Sequence, residues 1–352
     1  MTDSSHERPA PSFGHEIEIP LPDDFHIHLG QGLALTMYSR DAAQYFGRVM
    51  VTPDTTPPIL VPRQLEKYRD RILRSSGHAA DFKPLMSFRV DRAMGENDIQ
   101  RFAEAGAVAG VLYPEAYLRV YGSVVDALSH VLEAMQRYGI VLSLYAEHEA
   151  SFVLDKEESF LPQLDAIVRH FPDLRVVVER ISSAAALSTL MRLPPTVAAT
   201  VTVQHLLYTL DDVVGDVIRP HRFCKPLPRR SEDRDALRQA VCSGNKRVFF
   251  GSDSTPLPVA SGENREIPPG IYSAPTAIPL LLSLFEKFGS LDSFIAFTAQ
   301  NGAEFYGLAP PAVRCRYRRM SWDIPERISD VTPLGAGEQA EWRAVGRQSM
   351  EV

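Results

Sequence analysis

Residues 123–146 read SVVDALSHVLEAMQRYGIVLSLYA and hold one complete unit of the fold. Val125, Leu128, Leu132 and Met135 recur at three- and four-residue intervals, the spacing that lines one face of an α-helix. Ser123 stands where an N-cap is needed, and Gly139 where the helix must stop. The apolar run that follows, 140–146, has the length of a buried strand.

Working outward, the same alternation runs almost from end to end. Strands are predicted at 24–29, 47–52, 84–90, 108–113, 140–146, 175–181, 197–204 and 247–252. Helical patterns lie between them at 62–74, 97–105, 123–138, 160–171, 183–192 and 232–243. Eight βα alternations predict an α/β protein with a (β/α)8 barrel of the TIM type, whose core usually takes about 250 residues. An open doubly wound sheet is the competing architecture, but no glycine-rich phosphate loop follows the first strand. The predicted organisation is a disordered tail over 1–15, a barrel over 16–309, and a short C-terminal extension over 310–352 packed on the barrel.

Composition narrows the function. The chain has 352 residues, 45% of them hydrophobic, and a net charge of −7. That supplies ample material for a buried core and argues against a nucleic-acid partner. The basic cluster Arg314, Arg316, Arg318 and Arg319 reads as a solvated surface strand or turn. Cys224, Cys242 and Cys315 show no paired spacing, so free thiols of a cytoplasmic protein are expected. The longest apolar run, 278–285, is too short to span a membrane, and no membrane partner is expected.

In this architecture chemistry sits at the C-terminal ends of the strands. At the first, Asp24-Phe25-His26-Ile27-His28 spaces two imidazoles at i and i+2, which puts both on one side of a strand. At the last, Val248-Phe249-Phe250-Gly251-Ser252-Asp253 ends on a carboxylate, well placed for general acid–base work. The competing reading makes the histidines satisfied core residues and Asp253 the cap of a turn.

The ordered set of strand-end motifs resembles type II dihydroorotases of the amidohydrolase superfamily. It comprises Asp24-x-His26-x-His28-Leu29, Thr52-Pro53-Asp54-Thr55-Thr56-Pro57-Pro58, Leu112-Tyr113-Pro114, Gln204-His205-Leu206, Arg219-Pro220-His221 and Phe223-Cys224-Lys225-Pro226. Phe250-Gly251-Ser252-Asp253-Ser254-x-Pro256, Tyr272-Ser273-Ala274-Pro275-Thr276-Ala277, Phe305-Tyr306-Gly307 and Gly337-Glu338-x-x-x-Trp342 complete it, so that the likeness runs from about Pro22 to Arg343. The resemblance implies a small-molecule substrate, a homodimer and a two-zinc centre bridged by a carboxylated lysine. Val111 stands at the lysine's position, Tyr145 at the fifth-strand histidine's and Arg180 at the sixth-strand histidine's.

Three of the four ligands that the resemblance assigns to the first metal remain: His26, His28 and Asp253. A catalytic zinc commonly has three protein ligands, so one zinc ion is expected and a second is not. Asp253, Arg180 and Tyr145 are the expected catalytic residues, with Arg180 pairing with Asp253 or a substrate anion in place of the lost ion. Asp54, Glu147, His205 and Ala274 are the expected substrate contacts.

Where the resembled family holds the carboxylate of dihydroorotate, this chain has Gly30, Asp54 and Leu257. Loss of a cation and addition of Asp54 are expected to repel that anion. On these substitutions the sequence predicts an enzyme redirected to another small molecule. Opening or closing of a cyclic amide, lactam or imide, or a metal-free isomerisation or cyclisation, in specialised-metabolite biosynthesis, would suit such a mouth. A catalytically silent scaffold and a working dihydroorotase are the alternatives.

Overall fold

A computed structural model describes residues 13–257 and 267–349. In chain order its strands are β1 (Glu16–Pro20), β2 (Asp24–Ile27), β3 (Arg48–Val51), β4 (Lys83–Arg89), β5 (Ala107–Leu112), β6 (Val141–Leu144), β7 (Val176–Val178), β8 (Val197–Val201), β9 (Val248–Phe250), β10 (Val313–Asp323) and β11 (Gln339–Ser349). One main helix follows each of β2 to β9: α1 (Gly32–Tyr45), α2 (Pro62–Ser75), α3 (Glu96–Glu104), α4 (Val124–Arg137), α5 (Lys156–His170), α6 (Ala184–Arg192), α7 (Ser231–Cys242) and α8 (Ala277–Phe288). Strands β2 to β9 form one parallel sheet in sequence order, the (β/α)8 barrel expected.

The local signals act as predicted. Ser123 Oγ accepts the backbone N–H of Asp126 at 3.3 Å to open α4, and Gly139 takes a left-handed φ of +68° just beyond its end. Strands buried on both faces, such as Val176–Val178, need β-branched residues throughout. Helices α1 and α8 left no periodic signal for opposite reasons. The buried side of α1 includes the small residues Ser39, Ala42 and Ala43, so no apolar stripe marks it. Helix α8 is buried almost all round, between the barrel and β11, so no polar face marks it.

Two features of the barrel position the site. Phe25, Met50, Leu85, Ala109, Val141, Val177, Ala198 and Phe249, one from each strand, pack as an inner layer, closed by Tyr306 stacked on Phe25 at 5.1 Å. With a side-chain period of two, the inner face then continues to Ser87 and Arg89, Val111 and Tyr113, Ser143 and Tyr145, and Glu179. Closure is the second feature. Asp253 N–H donates to His26 O at 2.8 Å and His28 N–H to Ser254 O at 3.1 Å, which draws the last strand against the first.

The terminal segments differ from expectation. Within the predicted extension Val313–Asp323 and Gln339–Ser349 are two long strands, and Glu16–Pro20, expected within the barrel, pairs with them in a separate antiparallel sheet of order β1-β10-β11. Ile17, Ile19, Cys315, Tyr317 and Trp342 face inward, while Arg314 and Arg318 pair outward with Glu18 and Glu16. Arg314, Arg316 and Arg318 of the basic cluster therefore make a solvated strand face, whereas Arg319 lies against the buried Trp342 ring and pairs with Glu286. The expected disordered tail falls mostly outside the described residues, but Phe13 is ordered, its ring centroid 6.4 Å from that of Trp342. Among the described residues the three cysteines are free, and no helix is long and apolar enough to cross a membrane.

Candidate active site

Barrel closure sets His26, His28 and Asp253 side by side at the strand ends. Asp253 Oδ1 lies 3.2 Å from His28 Nε2 and 3.5 Å from His26 Nε2. Each imidazole is anchored from behind by a carboxylate: His26 Nδ1 is 2.8 Å from Glu179 Oε2, and His28 Nδ1 is 3.0 Å from Asp54 Oδ2. A proton held on Nδ1 leaves Nε2 to face the centre, the arrangement that prepares a histidine to ligate a metal. Glu179 is itself fixed by Ser143 Oγ at 2.6 Å and Thr200 Oγ1 at 2.7 Å. Below them Asp24 accepts from the backbone N–H groups of His26 and Ser252, at 3.1 and 2.8 Å, tying β2 to the end of β9.

Arg180, Tyr145 and Tyr113 form a second half-circle. Arg180 NH1 donates to Asp253 Oδ1 and Oδ2 at 3.1 and 3.2 Å, so the guanidinium points into the mouth. Its Cζ lies 4.1 Å from the centre of the Tyr145 ring. Tyr145 Oη donates to His26 Nε2 at 2.8 Å, and its ring lies 4.5 Å from that of Tyr113, whose hydroxyl donates to Asp54 Oδ1 at 2.6 Å. Both Arg180 and Asp253 hold left-handed backbone conformations, φ +58° and +49°. Non-glycine residues pay for that geometry and keep it mainly at functional positions.

These contacts decide the charges. Burial alone would depress His28, but hydrogen bonds and charge from Asp253 and Asp54 outweigh it and push the imidazole up to about 9. Burial would raise Asp253, yet the Arg180 guanidinium and the His28 bond hold it well below the usual carboxylate range. Asp54 is likewise held low against burial, chiefly by His28. Burial keeps the Tyr145 phenol protonated far above neutrality. Asp54 is therefore not a free anion at the mouth: its carboxylate is engaged by His28 Nδ1 and by the Tyr113 hydroxyl.

The remaining predicted contacts are spread around the rim. Glu147 is half-buried and close enough to raise the pKa of Arg180 by its charge. His205 is buried, with Nδ1 2.7 Å from Thr202 Oγ1 and Nε2 2.9 Å from Pro226 O, so both ring nitrogens are engaged within the protein. Ala274 is buried, its N–H donated to Ser254 Oγ at 3.1 Å. Sequence reasoning gave no role to Glu179, Asp24 or Tyr113. A charged residue closing an all-valine buried strand was the available signal for Glu179, since such a carboxylate requires partners.

A metal fits one half of this centre. His26, His28 and Asp253 are the one set of three histidine, cysteine or carboxylate donors among the described residues whose ligand atoms lie within 4.8 Å of one another. The other half offers an apolar Val111, a phenol and a guanidinium, which is no donor set for a cation.

Barrel, strand-end histidines and closing aspartate define an enzyme of the amidohydrolase superfamily. The chain belongs to the dihydroorotase family within it. It is 38% identical to a dihydroorotase of Aromatoleum aromaticum over 341 residues, covering 94% of this chain and 99% of that one. Identity to a Vibrio parahaemolyticus dihydroorotase is 36%, over 93% and 98% of the two chains. The crystal structure of Campylobacter jejuni dihydroorotase matches with a TM-score of 0.85 at 29% identity, covering 94% of this chain and 97% of that one. A Saccharomyces cerevisiae dihydroorotase in complex with 5-fluoroorotic acid matches equally, TM-score 0.85 at 26% identity over 94% and 98%. No protein-family model matches the chain. These relatives overturn the expectation of a barrel redirected to another small molecule, or silenced, in specialised-metabolite biosynthesis. Likeness of this extent to dihydroorotases favours the working dihydroorotase set out above as an alternative.

Proposed function

We propose that the protein is a dihydroorotase, opening and closing the cyclic amide of dihydroorotate with water as co-reactant. One observation carries this reading: Asp253 Oδ1 stands within 3.5 Å of two imidazole Nε2 atoms whose opposite nitrogens are both held by carboxylates. That arrangement is a prepared site for a single ion, held by His26 Nε2, His28 Nε2 and the Asp253 carboxylate. A zinc ion bound there would supply Lewis acidity and would acidify a water molecule.

The chain's own groups account for the rest. Asp253, kept ionised by Arg180 and His28, accepts the proton of the attacking water and returns it to the ring nitrogen as the C–N bond breaks. The charge that keeps it ionised also makes its protonated form short-lived, which favours the onward transfer. With His26 Nε2 on an ion, the Tyr145 hydroxyl would be released from that nitrogen, and Tyr145 Oη with the Arg180 guanidinium then supplies donors at the mouth; donors of this kind stabilise a developing oxyanion. Arg180 thus contributes permanent positive charge in the half of the site that has no metal donors. In the synthetic direction the same proton moves run in reverse.

The test is turnover of dihydroorotate by purified protein supplied with zinc, alongside the metal content of the chain. Turnover with close to one zinc per chain is the expected result; its absence in folded, zinc-loaded protein refutes the assignment. Asp253→Asn is expected to lower kcat at least ~10³-fold, by loss of a general acid–base group and of a ligand, with the thermal transition retained.

A further inference from the structure

If the reaction is that of a dihydroorotase, the substrate carries a ring carboxylate, and the site must present a cation to it. The charged groups around the metal donors are already paired. His28 lies between Asp253 and Asp54, and Arg180 NH1 is on both oxygens of Asp253. Asp54 is engaged by His28 and by the Tyr113 hydroxyl. Gly30, beside His28, brings no side chain.

Arg89 is different. It ends β4 and lies four residues after Leu85, whose side chain is in the barrel's inner layer, so it is on the inner face at the rim. Its guanidinium carbon is 5.2 Å from the centre of the Tyr113 ring. Tyr113 in turn touches the site twice, through its 2.6 Å hydrogen bond to Asp54 and its 4.5 Å ring contact with Tyr145. Arg89, Tyr113, Tyr145 and Arg180 therefore form a continuous stack along the ends of β4 to β7, with a guanidinium at each end. Arg180 is buried and bonded to Asp253, whereas Arg89 is exposed and pairs with no carboxylate among the described residues. Stacking on Tyr113 restrains the plane of the guanidinium while leaving its N–H groups available.

We propose that Arg89 is the carboxylate-recognition residue of this enzyme, binding the ring carboxylate of dihydroorotate through a fork of N–H donors while Tyr113 holds the guanidinium over the mouth. A planar guanidinium matches a carboxylate in two parallel hydrogen bonds, which fixes the ring's orientation as well as its affinity. Arg89 contacts substrate but takes no part in the proton transfers, so its effect belongs in binding.

This rests on the dihydroorotase reading, and the experiment separates the two. Steady-state kinetics on dihydroorotate and calorimetric binding of orotate are measured for wild type, Arg89→Gln and Arg89→Lys. Arg89→Gln is expected to raise KM and the orotate Kd by about 30-fold or more, with the loss falling on KM rather than kcat. Arg89→Lys keeps the charge without the fork and is expected to recover part of that loss. Active wild type with unchanged KM and Kd in Arg89→Gln overturns the role of Arg89 and leaves the function standing. Wild type that neither turns over dihydroorotate nor binds orotate overturns the function, and this proposal with it.

Discussion

At the scale of single residues, the site shows how partners override residue type. Asp54 read in isolation is an anion that repels a carboxylate; bonded to the His28 ring and to a tyrosine hydroxyl it is a positioning group for His28. The opposite case is His205, buried and neutral, whose pKa burial lowers to about 4. The unfolded chain takes up a proton near pH 6.5 that the folded state refuses. The stability this group contributes is therefore full above about pH 6.5 and is lost as pH falls toward 4. At pH 5 the loss amounts to about 2 kcal/mol. Comparing urea unfolding of wild type and His205→Gln at pH 7 and pH 5 checks this. The variant should lose less stability between the two pH values, and identical losses would show that His205 is not held neutral.

At the scale of elements, the site is a property of strand ends rather than of strands. Gly251, at the end of β9, lies against His26: a Cβ there would meet His26 Cβ at 2.9 Å and Thr200 Cβ at 3.0 Å. Neither atom is the far end of a flexible chain, so the strands must part. Gly251→Ala is expected to cost ~1–3 kcal/mol in overpacking. Displacing His26 from Glu179 should also weaken zinc binding ~10-fold or more, since ligand orientation depends on that bond. A chelator competition titration gives the affinity, and an unchanged value would mean that the strands adapt without moving the ligand. The strands and the helices with one apolar face were legible in sequence because periodicity records burial. Helices α1 and α8 were not, one lacking an apolar stripe and the other a polar face.

At the scale of the molecule, the C-terminal strands are bound to both the N-terminus and the barrel. Trp342 is fully buried, its Nε1 donates to Glu286 Oε2 at 3.3 Å, and the Arg319 guanidinium carbon lies 4.7 Å from its ring centre. Removing the ring in Trp342→Ala should cost ~3–5 kcal/mol, the usual range for a buried aromatic. The single thermal transition should then move to lower temperature as a whole. A separate early transition, with the barrel melting unchanged, would instead make the small sheet an independent unit.

The sequence by itself determined the barrel, its strand order and the two strand ends that carry His26, His28 and Asp253. Those depend on periodicity and on residue types that local geometry alone constrains. It also placed Val111, Tyr145 and Arg180 at the ends of three neighbouring strands, but did not show what they do there. Only the tertiary structure decided that Glu179 and Asp54 anchor the two imidazoles, that Arg180 reaches Asp253 across 73 residues of chain, and that Arg89 joins the site through two tyrosine rings. The reason is physical: hydrogen bonds, ion pairs and ring contacts form between groups that barrel closure brings within a few ångströms, and their separation along the chain carries no trace of that distance.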